Sequence, residues 1–152
     1  MGSGYMIQLA IKYLQSNNVR DITLTNRNFD KGSKIAKDNG CNYSKLQYLP
    51  NIIASHDIII SCTSSTIPII GKGMMESSIN NINAKPFVII DLGVPRDVEP
   101  EISDLENVYL YSIDDLGKVI KNNYKIREQA VAEAEKIIEY KIKDFKIWLD
   151  EN

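Results

Sequence analysis

The chain has 152 residues, of which 43% are apolar and 25% charged, and its net charge is −2. This length supports one domain with a sizeable core, and the composition is ordinary for a globular protein. The slightly acidic balance excludes a general nucleic-acid-binding surface. No apolar run is long enough to span a membrane and no secretory signal pattern is present, so we expect a cytoplasmic protein without membrane association.

A glycine-rich turn, Gly2-Ser3-Gly4-Tyr5-Met6, stands at the start of the chain and is followed at once by a helical apolar pattern. In dinucleotide-binding folds such a turn joins the first strand to the first helix. Its glycines let the backbone approach a pyrophosphate, and the helix N-terminus offers free N–H groups. We therefore predict that the turn binds a dinucleotide diphosphate. No strand precedes it, so we expect the first strand of the sheet to be missing.

The rest of the apolar pattern alternates short strand-like runs with helical stretches. This alternation predicts an α/β fold, a Rossmann-like parallel sheet with helices on both faces and right-handed crossovers. The run at 57–62 is β-branched throughout, which is typical of a strand buried on both faces. The predicted strands are 21–25, 42–45, 57–62, 87–92 and 108–111, and the predicted helices are 29–39, with Asn28 or Asp30 as its cap, 46–55 and 72–82.

A long C-terminal α-helix is predicted from Asp114 to about Leu149, a stretch with no proline and one glycine. Its apolar residues recur at helical spacing on one face, and charges of both signs cover the rest. Such a helix indicates contact with another domain or subunit, and a helix folded back on its own domain is the alternative. We therefore divide the chain into a domain over 1–113 and a long helix over 114–152.

The end of the predicted strand 21–25 carries basic and amide side chains. Proteins that bind NAD usually have an acidic residue here, which holds the ribose hydroxyls. This chain has Asn26, Arg27 and Asn28, with Lys31 close behind. An arginine with a lysine nearby attracts a 2′-phosphate, which the guanidinium binds through two hydrogen bonds. The sequence therefore predicts NADPH as the cofactor, and a surface arginine on a turn is the alternative.

A hydroxyl-rich turn that includes Thr63 and Ser64 follows the predicted strand 57–62. In open α/β sheets ligands bind at the carboxyl ends of the strands. Small hydroxyl side chains allow a nicotinamide ring to approach and can hydrogen-bond its amide. We therefore expect Thr63 and Ser64 to contact the cofactor.

The predicted strand 87–92 leads into a segment with glycine, proline and charged residues. Gly93 permits a close backbone approach, and we expect it to contact the cofactor. Asp91 is expected to pair structurally with Arg96 or Asp97.

Two cysteines and one histidine complete the candidates for chemistry. Cys41 and Cys62 are not spaced as metal ligands, and the sequence offers no base beside either, so we expect two reduced, partly buried thiols. His56 precedes a strand, at the wrong end for an α/β ligand site, and is expected to be a solvated turn residue. We predict no metal site and no catalytic residue in this chain.

Together these motifs resemble the NADPH-binding domain and following helix of glutamyl-tRNA reductase, over nearly the whole chain. The stretches that carry the resemblance are Gly2–Met6, Asn26-Arg27, Ile60–Thr63, Pro68–Gly71, Ile90–Asp97 and Asn107–Leu116. The last two of these stretches are the most specific.

The resemblance implies an enzyme that reduces glutamyl-tRNA to glutamate-1-semialdehyde in tetrapyrrole (porphyrin) biosynthesis. In the family, a cysteine thiolate of an N-terminal domain attacks the ester that joins glutamate to the tRNA, which forms a thioester and releases the tRNA. Hydride from NADPH then reduces the thioester. Neither Cys41 nor Cys62 matches that cysteine. This chain would supply the cofactor half of the chemistry and be inactive alone. The implied partners are glutamyl-tRNA, a second copy through the long helix and a downstream dimerisation domain, and glutamate-1-semialdehyde aminomutase.

Two departures from the family pattern limit the resemblance. Ile7 replaces the third glycine of the loop, and we expect it to push the helix outward or to fill space left by the missing strand. That strand would lie between 21–25 and 57–62, so we expect the chain alone to be poorly stable and to bind NADPH weakly or not at all. Two alternatives remain, another NADP-dependent oxidoreductase of the shikimate-dehydrogenase type and a non-catalytic interaction module that retains the fold.

Overall fold

Strands and helices alternate along the chain until one long helix ends it. The computed structural model of the protein describes residues 1–79 and 85–150. The α-helices are α1 (Tyr5–Ser16), α2 (Phe29–Asp38), α3 (Leu49–Ser55), α4 (Lys72–Ile79) and α5 (Ile113–Asp150). The strands are β1 (Thr23–Asn26), β2 (Asn42–Lys45), β3 (Ile58–Ser61), β4 (Phe87–Asp91) and β5 (Val108–Ser112), and 3₁₀ helices cover Leu46–Tyr48 and Pro100–Asp104.

The predicted elements are confirmed, with ends shifted by one or two residues. Asn28 is the cap of α2, because its side-chain oxygen accepts a hydrogen bond from the N–H of Lys31 at 2.9 Å. The predicted helix over 46–55 divides into a 3₁₀ turn and α3. The end of the predicted helix over 72–82, beyond Ile79, lies outside the described residues.

Among the described residues all strand pairs are parallel, but the strands form two sheets where the sequence predicted one. β1 pairs with β2, and the second sheet has the order β3-β4-β5. The first residues of the chain join the sheets. The terminal amino group of Met1 donates to the carbonyl oxygen of Ile60 at 2.5 Å, and the carbonyl of Met1 accepts from the N–H of Cys62 at 3.0 Å. On the other side, Gly2 donates to the carbonyl oxygen of Thr25 at 3.0 Å.

Two apolar cores lie on opposite faces of the strands. One packs the three-stranded sheet against α3 and α4, with Ile53 and Met75 fully buried. The other contains Ile7 and Ile11 of α1, packed with β1 and α2. Successive side chains of a strand point to opposite faces of the sheet. The helices α3 and α4 pack on one face and α1 and α2 on the other, as predicted. Ile7 is therefore a buried residue of the second core.

β3 is less buried than its β-branched run predicts. Ile58 is 52% exposed, so the prediction of a strand buried on both faces is wrong at this position. The edge of β3 that faces away from β4 lines a groove of about 220 Å³, which Ile7, Ile11 and Leu24 also line. Ile58 is exposed because it stands at this open edge.

The chain divides into two compact units, residues 1–113 and 114–152. In the second unit, α5 carries exposed apolar side chains that include Ile138 and Ile142. The assignment of the first unit to NADP binding and of the second to a path toward a dimerisation domain stays a prediction. Within the described residues, no helix combines the length and apolar character that crossing a membrane requires.

Candidate dinucleotide-binding site

A groove of about 740 Å³ opens where β1 and β3 end. Three segments form its walls: the glycine loop, the turn between β1 and α2, and the turn after β3. Most of the residues predicted to bind the cofactor line this groove. They are Gly2, Ser3, Gly4, Asn26, Arg27, Asn28, Lys31, Thr63 and Ser64.

The glycine loop packs so closely that one position accepts no side chain. Gly2 has a φ of +113°, and a Cβ built on it would lie 2.2 Å from the carbonyl oxygen of Cys62. Gly4 is the N-cap of α1, has an extended backbone and offers no capping side chain, and the first turn of the helix holds no acidic residue. The first N–H groups of α1 therefore remain free to bind an anion, which the helix dipole also favours.

Tyr5 and Met6 form the first turn of α1, and their side chains do not belong to the groove lining. They are 76% and 47% exposed. Tyr5 and Met6 can therefore contribute to anion binding only through their backbone N–H groups, which lie at the N-terminus of the helix.

The turn between β1 and α2 is ordered by its amide side chains and presents its cations. The Asn26 side chain accepts from the N–H of Asn28 at 2.8 Å, and Asn28 in turn caps the N–H of Lys31. Arg27 and Lys31 are exposed. Among the described residues neither forms an ion pair, so both charges can meet a ligand phosphate.

The turn after β3 is held from behind by a buried carboxylate. The side chain of Asp97 accepts hydrogen bonds from the Ser61 hydroxyl at 2.5 Å, from the Thr63 N–H at 2.8 Å and from the Thr63 hydroxyl. The sequence pattern indicated Asp97 only as a partner for Asp91. Ile67 and Ile69 also line the groove, and nothing in the spacing of the sequence indicates that the chain turns back there.

Gly93 lies behind the groove and is not among its lining residues. A Cβ at Gly93 would lie 2.8 Å from a carboxylate oxygen of Asp97, so this glycine permits close packing against that carboxylate. Asp91 accepts from the backbone N–H of Gly93 at 2.9 Å and of Asp97 at 3.1 Å. The expected pairing of Asp91 is thus made with the Asp97 backbone, whereas Arg96 is exposed. Contact between Gly93 and a cofactor stays a prediction.

Both cysteines are half-buried free thiols, as predicted. Burial raises the pKa of Cys41. Burial also raises the pKa of Cys62, and the nearby carboxylates of Asp97 and Asp91 raise it further. A raised pKa keeps a thiol protonated and therefore disfavours nucleophilic chemistry at either position. Among the described residues, no group of His, Cys, Asp and Glu side chains is arranged to hold a metal ion.

His56 is not the solvated turn residue that the sequence predicted. Its Nδ1 lies 2.9 Å from the carbonyl oxygen of Ile52 and must donate to it. Its Nε2 is hydrogen-bonded to the hydroxyl of Thr23 at 3.1 Å. The half-buried imidazole therefore links α3 to the start of β1, at the strand ends opposite to the groove.

A parallel α/β fold whose first helix begins at a glycine loop, with cationic side chains after the next strand, defines a Rossmann-like dinucleotide-binding domain. The chain belongs to the shikimate / quinate 5-dehydrogenase family, whose model matches residues 1–119. A nicotinamide dinucleotide is the class of cofactor that this family implies.

Named relatives narrow the comparison further. The chain is 40% identical, over 99% of its length, to the glutamyl-tRNA reductase of Polaromonas naphthalenivorans (strain CJ2), of which it spans 35%. The structure of glutamyl-tRNA reductase from Methanopyrus kandleri matches with a TM-score of 0.78 at 29% identity, covering 91% of this chain and 35% of that one. The nucleotide binding domain of glutamyl-tRNA reductase from Thermoplasma volcanium matches with a TM-score of 0.61 at 26% identity, covering 84% of this chain and 81% of that one. The predicted resemblance to glutamyl-tRNA reductase is confirmed, and the chain spans about a third of the length of the curated relatives it matches.

Proposed function

We propose that this chain is the NADPH-binding part of a glutamyl-tRNA reductase, an oxidoreductase that forms glutamate-1-semialdehyde for tetrapyrrole biosynthesis. The curated relatives that match 98–99% of the chain support this activity over a shikimate-dehydrogenase type. The observation that carries the cofactor half of the proposal is that Gly2, Arg27 and Thr63 line the same groove.

We infer one orientation for NADPH in this groove from the chemistry of the lining residues. The diphosphate lies against the loop at Gly2 and Gly4 and the free N–H groups of α1. The 2′-phosphate meets Arg27 and Lys31, whose charges have no competing partner among the described residues. None of the described residues that line the groove is acidic, so no carboxylate there binds the ribose hydroxyls of NADH or repels a phosphate.

The nicotinamide half then lies toward the turn after β3. The Thr63 hydroxyl donates to Asp97 and accepts from the N–H of Ser65 at 3.1 Å. The exposed hydroxyl of Ser64 is therefore the side-chain group of this turn best placed to contact the amide. NADPH supplies the hydride, and the residues of this chain bind the cofactor and orient it.

The wider assembly follows from the same proposal. The substrate is glutamyl-tRNA, the protein acts in the cytoplasm, and two copies associate through α5 and a dimerisation domain beyond it. The exposed apolar side chains of Ile138 and Ile142, four residues apart on that helix, support association. Glutamate-1-semialdehyde aminomutase is the partner expected to receive the product.

A chimera tests the proposal in the context of a complete enzyme. This chain replaces the matching segment of the Polaromonas reductase, and reduction of glutamyl-tRNA is measured with NADPH and with NADH. We expect NADPH-dependent reduction, which weakens in a matched chimera carrying Arg27→Ala. A folded chimera that binds glutamyl-tRNA but does not use NADPH would overturn the proposal.

A further inference from the structure

A fully buried carboxylate, that of Asp97, stands behind one wall of the groove. One of its oxygens accepts from the Ser61 hydroxyl at 2.5 Å and from the Thr63 N–H at 2.8 Å, and the other accepts from the Thr63 hydroxyl. A carboxylate can accept all three donors at once, and charge-assisted bonds of this kind are stronger than neutral ones. The turn after β3 is therefore anchored to one side chain.

The backbone of the same residue anchors the far end of the wall. The carbonyl oxygen of Asp97 accepts from the N–H of Ile69 at 2.7 Å and of Ile70 at 3.1 Å. Residues 63–65 and 67–69 line the groove between these two anchors. One residue thus anchors both ends of this wall of the groove.

The position of Asp97 is itself determined by its neighbours. Its N–H donates to the carboxylate of Asp91 at 3.1 Å, and the N–H of Val98 donates to the same oxygen at 3.1 Å. Gly93 leaves room for the Asp97 carboxylate, because a Cβ on residue 93 would lie only 2.8 Å from one of the carboxylate oxygens. The carboxylate therefore has little freedom to shift toward or away from the turn.

We propose that Asp97 is a positioning residue that acts through Thr63 to fix the wall that receives the nicotinamide half of the cofactor. This inference rests on the proposed function. The Thr63 hydroxyl is the connecting group, because it donates to Asp97 and accepts from the N–H of Ser65. Removal of that hydroxyl takes away one of the two bonds from Thr63 to the carboxylate and the bond to the N–H of Ser65. It leaves the bonds of the Thr63 N–H, the Ser61 hydroxyl and the Ile69 N–H in place.

Two ligands separate positioning from a general loss of structure. NADPH occupies both halves of the groove, whereas adenosine 2′,5′-bisphosphate occupies only the half near Arg27. We expect Thr63→Val to raise the Kd for NADPH about tenfold, because the variant loses the charge-assisted hydrogen bond from the Thr63 hydroxyl to Asp97. The Kd for the bisphosphate should not change. Thr63→Ser keeps the hydroxyl and should restore NADPH binding. NMR-detected titrations of the 152-residue chain report both affinities even when binding is weak.

Asp97→Asn is the second variant, because an amide offers one acceptor oxygen where the carboxylate offers two. It should weaken NADPH at least as much as Thr63→Val and again leave the bisphosphate unchanged. The matched control is Thr23→Val, which removes a hydroxyl bonded to His56 at the other end of β1. That control should lower the melting temperature and change neither Kd.

The outcomes are distinct. The inference is overturned if Thr63→Val weakens both ligands equally, if it leaves NADPH binding unchanged, or if Thr63→Ser binds as poorly as Thr63→Val. If neither the 152-residue chain nor the chimera with the Polaromonas reductase binds NADPH or the bisphosphate, the proposed function fails, and the inference fails with it. If only the chimera binds them, the same variants are measured in the chimera.

Discussion

The N–H of Gly2 donates a hydrogen bond to the carbonyl oxygen of Thr25 at 3.0 Å. This bond ties the glycine loop to the strand that leads directly into Arg27. A diphosphate bound at the loop and a phosphate bound at the arginine therefore rest on one hydrogen-bonded frame. Two stretches separated by more than twenty residues in sequence consequently line the same groove.

Arg27→Ala should weaken NADPH by about 1.5–3 kcal/mol and barely affect NADH, because only NADPH carries the 2′-phosphate that the guanidinium binds. The Kd values for the two cofactors, measured by NMR-detected titration, give the comparison. Arg20→Ala removes an exposed arginine outside the groove and should change neither value. Equal losses for NADPH and NADH on Arg27→Ala would contradict the assignment of the 2′-phosphate.

Gly2→Ala should abolish cofactor binding and destabilise the fold. Its φ of +113° disfavours any Cβ, and the carbonyl oxygen of Cys62 would lie 2.2 Å from it. Gly73→Ala is the matched control, because a Cβ at that position in α4 meets no atom within 4 Å and alanine favours a helix. Urea unfolding and NADPH titration measure both variants. If the Gly2→Ala variant proved as stable as the Gly73→Ala variant, the close packing of the loop would be disproved.

Cys62 should react slowly with iodoacetamide near neutral pH, and faster as the pH rises beyond the range usual for a free thiol. The reason is that burial and the Asp97 carboxylate raise the pKa of this thiol, so little thiolate is present. NADPH should protect Cys62, which lines the groove, but leave the rate at Cys41 unchanged. Mass spectrometry resolves the two sites in one sample, and equal protection of both would argue against binding in this groove.

The stability of the protein should respond in opposite directions to the same substitution at the two threonines of β1. The hydroxyl of Thr25 is buried and has no hydrogen-bond partner among the described residues, whereas that of Thr23 bonds to His56. Thr25→Val should therefore raise the free energy of unfolding by about 1 kcal/mol, and Thr23→Val should lower it by about 0.5–1.5 kcal/mol. Urea unfolding measures both, and a destabilised Thr25→Val would show that its hydroxyl does have a partner.

Periodicity predicted the elements well because each is encoded locally. The β-branched run before Ser61 and the capping side chain of Asn28 are signals that lie within a few residues of the structure they specify. The cationic turn at Arg27 was found in the same way, from its place directly after a strand.

Long-range packing accounts for what the sequence did not predict. Ile58 has the pattern of a buried strand residue, yet its exposure depends on the groove that separates β1 from β3. The anchoring of Thr63 by Asp97 joins residues 34 positions apart, and no local pattern encodes such a pairing. His56 is similar, because its bond to Thr23 exists only once α3 has packed beside β1.

The most direct test of the cofactor groove is an NMR titration of the backbone amides with NADPH. We predict that shifts concentrate at Gly2–Gly4, at Asn26 and Arg27, and at Thr63 and Ser64, and that they saturate with a single Kd. Shifts confined to the groove at the opposite strand ends, beside His56 and Phe87, would contradict the account.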